Sequence, residues 1–106
     1  MGVMPQGMKE VFEAGDVVTV RRGKYTGTQF VVIGTEGASR AYITDGKNYP
    51  VLRPKKKNTA HLRKTLISLD DVAGRVAGGK PLDNGWLIQR ITAITNYSGT
   101  SCRQGG

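Results

Sequence analysis

Two short runs rich in β-branched residues, Val17-Val18-Thr19-Val20-Arg21 and Thr28-Gln29-Phe30-Val31-Val32-Ile33, are separated only by Arg22-Gly23-Lys24-Tyr25-Thr26-Gly27. Each run is too short for an ordinary helix and has the composition of a strand. The connecting segment carries two glycines, which supply the positive φ that a tight turn requires. This part of the chain is therefore expected to form an antiparallel strand, loop, strand unit whose loop displays cations.

The pattern continues downstream. Gly34-Thr35-Glu36-Gly37 reads as a turn, residues 39–44 (SRAYIT) as a third strand and Asp45-Gly46 as a hairpin signal. Residues 49–52 are expected as a fourth strand, with Pro50 placing it at a sheet edge. Residues 62–69 can supply the last strand. With Gly at 15 of 106 residues, about twice ordinary usage, the chain favours tight turns over a helical bundle. The expected fold is mainly β, a small closed or nearly closed antiparallel barrel over 15–69, preceded by an N-terminal arm at 1–14.

Beyond the barrel the character changes to a helical extension over 70–97. Ser68-Leu69-Asp70-Asp71 resembles a helix start, and Leu69, Val72 and Val76 recur at helical spacing until Gly78-Gly79. Asp83 is placed as N-cap of a second helix from Asn84 to about Thr95, with Leu82 and Leu87 as a hydrophobic staple and Leu87, Ile88, Ile91 and Ile94 on one face. The Gly/Ser-rich residues 98–106 are expected to be a disordered tail.

Charge is distributed unevenly. Of a net +8, residues 16–64 hold eleven Lys/Arg (Arg21, Arg22, Lys24, Arg40, Lys47, Arg53, Lys55, Lys56, Lys57, Arg63, Lys64) against Asp16, Glu36 and Asp45. Residues 1–15 sum to −1 and 65–106 to +1, so the middle segment carries the excess. Such crowding of like charge opposes folding, and a polyanionic partner relieves it.

The stretch from Gly15 through Gly27 to Ile33 resembles the KOW motif, a strand-loop-strand unit with a near-obligatory loop glycine, here matched by Gly27. The similarity extends through Tyr42-Ile43-Thr44-Asp45-Gly46 and Arg53-Pro54-Lys55-Lys56-Lys57-Asn58-Thr59-Ala60-His61-Leu62. Over 15–66 the chain is similar to large-subunit ribosomal proteins of the archaeal and eukaryotic fourteen-e, six-e and twenty-seven-e group, and to stand-alone bacterial KOW RNA-binding proteins. The C-terminal forty residues match no ribosomal extension. The resemblance implies an SH3-like (KOW) barrel and binding of RNA, foremost ribosomal RNA, by a ribosomal or ribosome-associated protein that is a monomer when free.

The residues support that expectation independently. Arg21, Arg22 and Lys24 are candidate phosphate contacts, with Gly23 and Gly27 permitting close backbone approach. Tyr25 at the loop tip is placed either to stack on an unpaired base or to pack across its own loop. Arg53, Lys55, Lys56, Lys57, His61, Arg63 and Lys64 form a basic arm over 53–64 that Pro54 keeps extended, a clamp expected to order on RNA. There His61 either contacts a phosphate or caps the arm against the barrel. Tyr42 and Tyr49 read as packing residues.

Other classes find little support. The stretch 74–81 (GRVAGGKP) has P-loop spacing, but Pro81 replaces the hydroxyl that binds Mg²⁺ and no buried strand precedes it. With one His and one Cys, neither a catalytic triad nor a metal site can be drawn, and no cofactor is expected. No enzyme is expected. Cys102 alone forms no disulfide framework, and no apolar run suits a signal peptide or membrane span, so a cytoplasmic protein is expected and the sequon at Asn96 is idle. The alternative is a KOW-type protein-binding adaptor in transcription or translation, or contact with ribosomal proteins, through the apolar face of the 84–95 helix.

Overall fold

The computed structural model describes residues 11–104, with side chains to residue 94; most of the expected N-terminal arm and the end of the tail lie outside the described residues. Five strands, β1 (Asp16–Val20), β2 (Gln29–Glu36), β3 (Arg40–Thr44), β4 (Lys55–Asn58) and β5 (Leu62–Ser68), precede two helices, α1 (Asp70–Ala77) and α2 (Asn84–Gln104). The strands form one antiparallel sheet in the order β4-β3-β2-β1-β5. No described helix is long and apolar enough to cross a membrane.

The sheet curls because β2 serves two partners in succession. It pairs with β1 through residues 29–31 and with β3 through 31–36, with a register shift between Val32 and Gly34. A shift of this kind bends the strand and increases its twist. The curl is large enough that the edge strands β4 and β5 are joined by only a three-residue 3-10 turn, Thr59–His61. That turn is tied at both ends: Thr59 N donates to Ser39 O at 2.9 Å and Arg21 N to His61 O at 2.7 Å. No ladder joins β4 to β5, so the sheet is open where a closed barrel was one expectation.

Alternation along the strands distributes apolar residues to two clusters. Val18, Val20, Phe30, Val32, Ala41, Ile43 and Leu62 gather with Phe12 on the concave face. Val17 and Val31 face the other way and meet Leu69, Val72 and Leu87 from the helices. The helical extension is thus the cover of the sheet's second face. Asp83 caps α2 as expected, its Oδ2 accepting from Trp86 N at 2.9 Å, and Asn84 Oδ1 accepts from Val51 N at 2.8 Å. Between the helices, Arg75 lies 4.5 Å from the Trp86 ring centroid and Arg90 pairs with Asp71 at 3.0 Å.

Three sequence expectations are corrected. Residues 49–52 form a turn, not a strand, because the Asp45 carboxylate accepts from the backbone of Lys47 and Tyr49 and from the Asn48 amide and winds the chain around itself. The basic arm is not a free clamp: Lys55–Asn58 is β4, hydrogen bonded to β3, and 62–68 is β5. Finally, α2 continues to Gln104, past Thr95 and through residues 98–104 expected to be disordered; a helix anchored by Leu87, Ile91 and Ile94 extends by one hydrogen bond per added residue.

Gly15 and Gly27 test the packing. Gly15 has φ +98° and a Cβ there would lie 2.7 Å from Leu69 O and 3.1 Å from Ala73 Cβ, whereas at Gly27, φ +88°, a Cβ meets nothing within 4 Å. Gly27→Ala is expected to cost about 1–2 kcal/mol of backbone strain and Gly15→Ala clearly more, about 3 kcal/mol, because α1 must also shift. Urea unfolding checks this; equal losses would contradict the contact between α1 and the start of β1.

Candidate nucleic-acid interface

The loop between β1 and β2 is held by its own backbone. Gly27 N donates to Val20 O at 2.8 Å, Val20 N to Thr28 O at 3.1 Å and Thr28 N to Tyr25 O at 2.9 Å. Thr26 Oγ1 donates to Gly23 O at 2.7 Å. Gly23 and Gly27 both have positive φ, as the turn requires. The loop therefore presents Arg21, Arg22 and Lys24 to solvent from a fixed frame.

Tyr25 is half-buried and packs inward. Its ring lies 6.0 Å from Phe30 and meets Tyr49 edge-on at 5.3 Å, closing one side of the concave cluster. The packing is against β2 and the β3–β4 connection rather than across its own loop; Lys24 Nζ sits 5.5 Å from its ring centroid. Burial, reinforced by Tyr25 and Asp45, raises the Tyr49 hydroxyl above its ordinary value of 10.0.

Pairing register sorts the lysines of β4 onto two faces. Lys55 and Lys57 stand opposite Ile43 and Ala41, and Lys56 opposite Tyr42. Lys57 reaches the β1–β2 loop: a Cβ on Gly23 would lie 3.0 Å from its Nζ. His61 joins the same place through the backbone bond from Arg21. Arg21, Arg22, Gly23, Lys24, Lys57 and His61 are thus brought together from three separate segments.

Other expected contacts are engaged elsewhere. Lys56 pairs with Glu36 at 3.0 Å. Lys64 pairs with Asp16 at 3.4 Å and donates to Val11 O at 2.9 Å, so it tethers the chain before β1. Arg53 and Lys55 are exposed at the entry to β4, and Arg63, opposite Thr19, projects from the other face to that of Lys57. Among the described residues no ion pair involves Arg21, Arg22, Lys24 or Lys57. Asp45 and Asp83 are committed to backbone groups in the β3–β4 connection and at the start of α2.

Beside the cations lies a groove of about 330 Å³. Phe12 and Leu62 line it together with Arg21, Ser39, Asn58 and Thr59. Sequence reasoning missed Phe12, Ser39 and Asn58, which meet only because the β2–β3 hairpin and the 3-10 turn converge on the end of β1. Among the described residues there is no group of three His, Cys, Asp or Glu side chains able to hold a metal ion. The 74–81 stretch begins inside α1 rather than after a strand. No known family model matches the chain, and no curated protein matches its sequence.

The Lys56–Glu36 pair gives a pH-dependent signature. The hydrogen bond from Lys56 and then its charge, with a further bond from Tyr42, hold the Glu36 carboxyl below its ordinary 4.5. A lowered carboxylate pKa favours the fold above the ordinary glutamate range, and that contribution is lost as pH falls through the lowered value. An NMR titration is expected to place the Glu36 midpoint below 4.5 and to return it towards 4.5 in Lys56→Met. An unmoved midpoint would mean that Lys56 is free for other partners.

Proposed function

We propose that this protein binds RNA as a KOW-type, SH3-like domain, with structured ribosomal RNA as its target and a ribosomal or ribosome-associated role. The observation that carries the reading is the meeting of Arg21, Arg22, Lys24 and Lys57 around a rigid glycine loop with no acidic partner among the described residues. Cations held in place without counter-charges release ions from a phosphate backbone at little cost in ordering. Arg suits bidentate phosphate contact, and Lys acts as a point charge.

The architecture supports the barrel half of the proposal. Five short antiparallel strands curl until three residues suffice to join the edges, as a small, nearly closed barrel demands. Gly27, the residue matched to the loop glycine of the motif, has φ +88°. On the α2 face from which the adaptor reading is drawn, Leu87 is buried in the cluster of Val17 and Val31, and Ile91 and Ile94 pack against that cluster half-buried.

Binding to a structured ribosomal RNA fragment is expected to weaken with salt, log affinity against log salt having a slope of about −3 to −5 for roughly four to six neutralised phosphates. Replacing Arg22, Lys24 and Lys57 together by Gln should flatten that slope by about 2 to 3, while Lys56→Gln leaves it close to the wild type. Anisotropy titrations over a salt series check both. A flat wild-type slope would overturn the proposal.

A further inference from the structure

We infer that the groove beside Arg21 is a subsite for one unpaired nucleobase, whose phosphate lies on the neighbouring cations. This rests on the RNA-binding reading and adds what the site recognises.

The groove has an apolar floor, since Phe12 and Leu62 belong to the concave cluster and are 9% and 2% exposed. Its wall is rigid: Thr59 N donates to Ser39 O at 2.9 Å and Thr59 Oγ1 to Ala38 O at 3.1 Å. Asn58 Oδ1 accepts from Ala60 N at 2.8 Å, which fixes the side chain and leaves its amide nitrogen, two donors, with no partner among the described residues. Arg21 is held by its backbone N to His61 O at 2.7 Å, while its exposed guanidinium has no acidic partner among the described residues.

This combination suits a flat, π-faced group with acceptors along its edge. Bases in single-stranded RNA stack on guanidinium planes and offer carbonyl and ring-nitrogen acceptors to amide donors. A bare phosphate gains nothing from an apolar floor. At about 330 Å³ the groove is at the small end of the range for ligand sites and has room for a base. The nearby Gly23 turn and Lys57 Nζ provide for the attached phosphate.

Two probes of equal charge test the subsite: a stem-loop RNA with an unpaired loop, and the same RNA with abasic loop residues. Wild-type protein is expected to bind the abasic RNA roughly tenfold more weakly, the order of one stacked base. Arg21→Lys keeps the charge without the plane, and Asn58→Ser keeps an acceptor for Ala60 N without the amide donors. Asn58→Ser should bind abasic RNA as wild type does and intact RNA no more tightly, so its abasic binding also reports that it is folded; Arg21→Lys, which weakens phosphate contact to both RNAs, should likewise bind intact RNA no more tightly than abasic RNA. Equal binding of the two RNAs by wild type, or discrimination retained in both variants, overturns the subsite while RNA binding stands. Failure of wild type to bind either RNA overturns the RNA reading and the subsite with it.

Discussion

Val17 and Val18 are neighbours in β1 and point to opposite faces, yet neither has exposed surface; the same is true of Val31 and Val32 in β2. A strand pair that is apolar on both sides needs a cover on each. On the concave side the sheet supplies its own by curling, so that Ile43 and Leu62 from flanking strands meet Val18 and Phe30. On the convex side α1 and α2 do so, through Val72 and Leu87. Burying these groups is the main favourable term holding so small a chain together.

That arrangement decides where charge can go. With both faces of the central strands occupied, the cations of the sheet are left the loops, the strand ends and the edge strands. A lysine-rich edge such as β4 also discourages pairing with other chains. The curl then sets distances: because β4 returns to the end of β1 within three residues of 3-10 turn, Lys57 arrives beside Gly23 of the β1–β2 loop, although β4 is a sheet neighbour of neither β1 nor β2. Geometry and charge at this end of the sheet are consequences of the same packing problem.

Much of the strand architecture was legible because it is local. The β-branched runs, the glycine turn, the end of β3 at Asp45-Gly46 and the Asp83 cap are patterns of propensity and spacing that tertiary context left in place. β4 was not legible, because Lys-Lys-Lys-Asn has no apolar alternation; its strand conformation comes from the open edge of β3. The false strand at 49–52 had strand-like residues but lost to the Asp45 carboxylate, which satisfies the local backbone more cheaply. Of the candidate site, the loop cations were readable from charge density. That Tyr25 turns inward, that Lys56 and Lys64 are taken by Glu36 and Asp16, and that Phe12 and Asn58 flank the groove all depend on long-range contacts that no local pattern encodes.

The central claim is that unpartnered cations converge where the end of β1 meets the β4–β5 turn and form a surface for RNA. Backbone amide NMR during titration with a stem-loop RNA tests it most directly. The account predicts saturable shifts concentrated in residues 21–27 and 57–62, with the α1 and α2 amides little changed. Shifts centred on the helices, or scattered over the molecule without saturation, would contradict it.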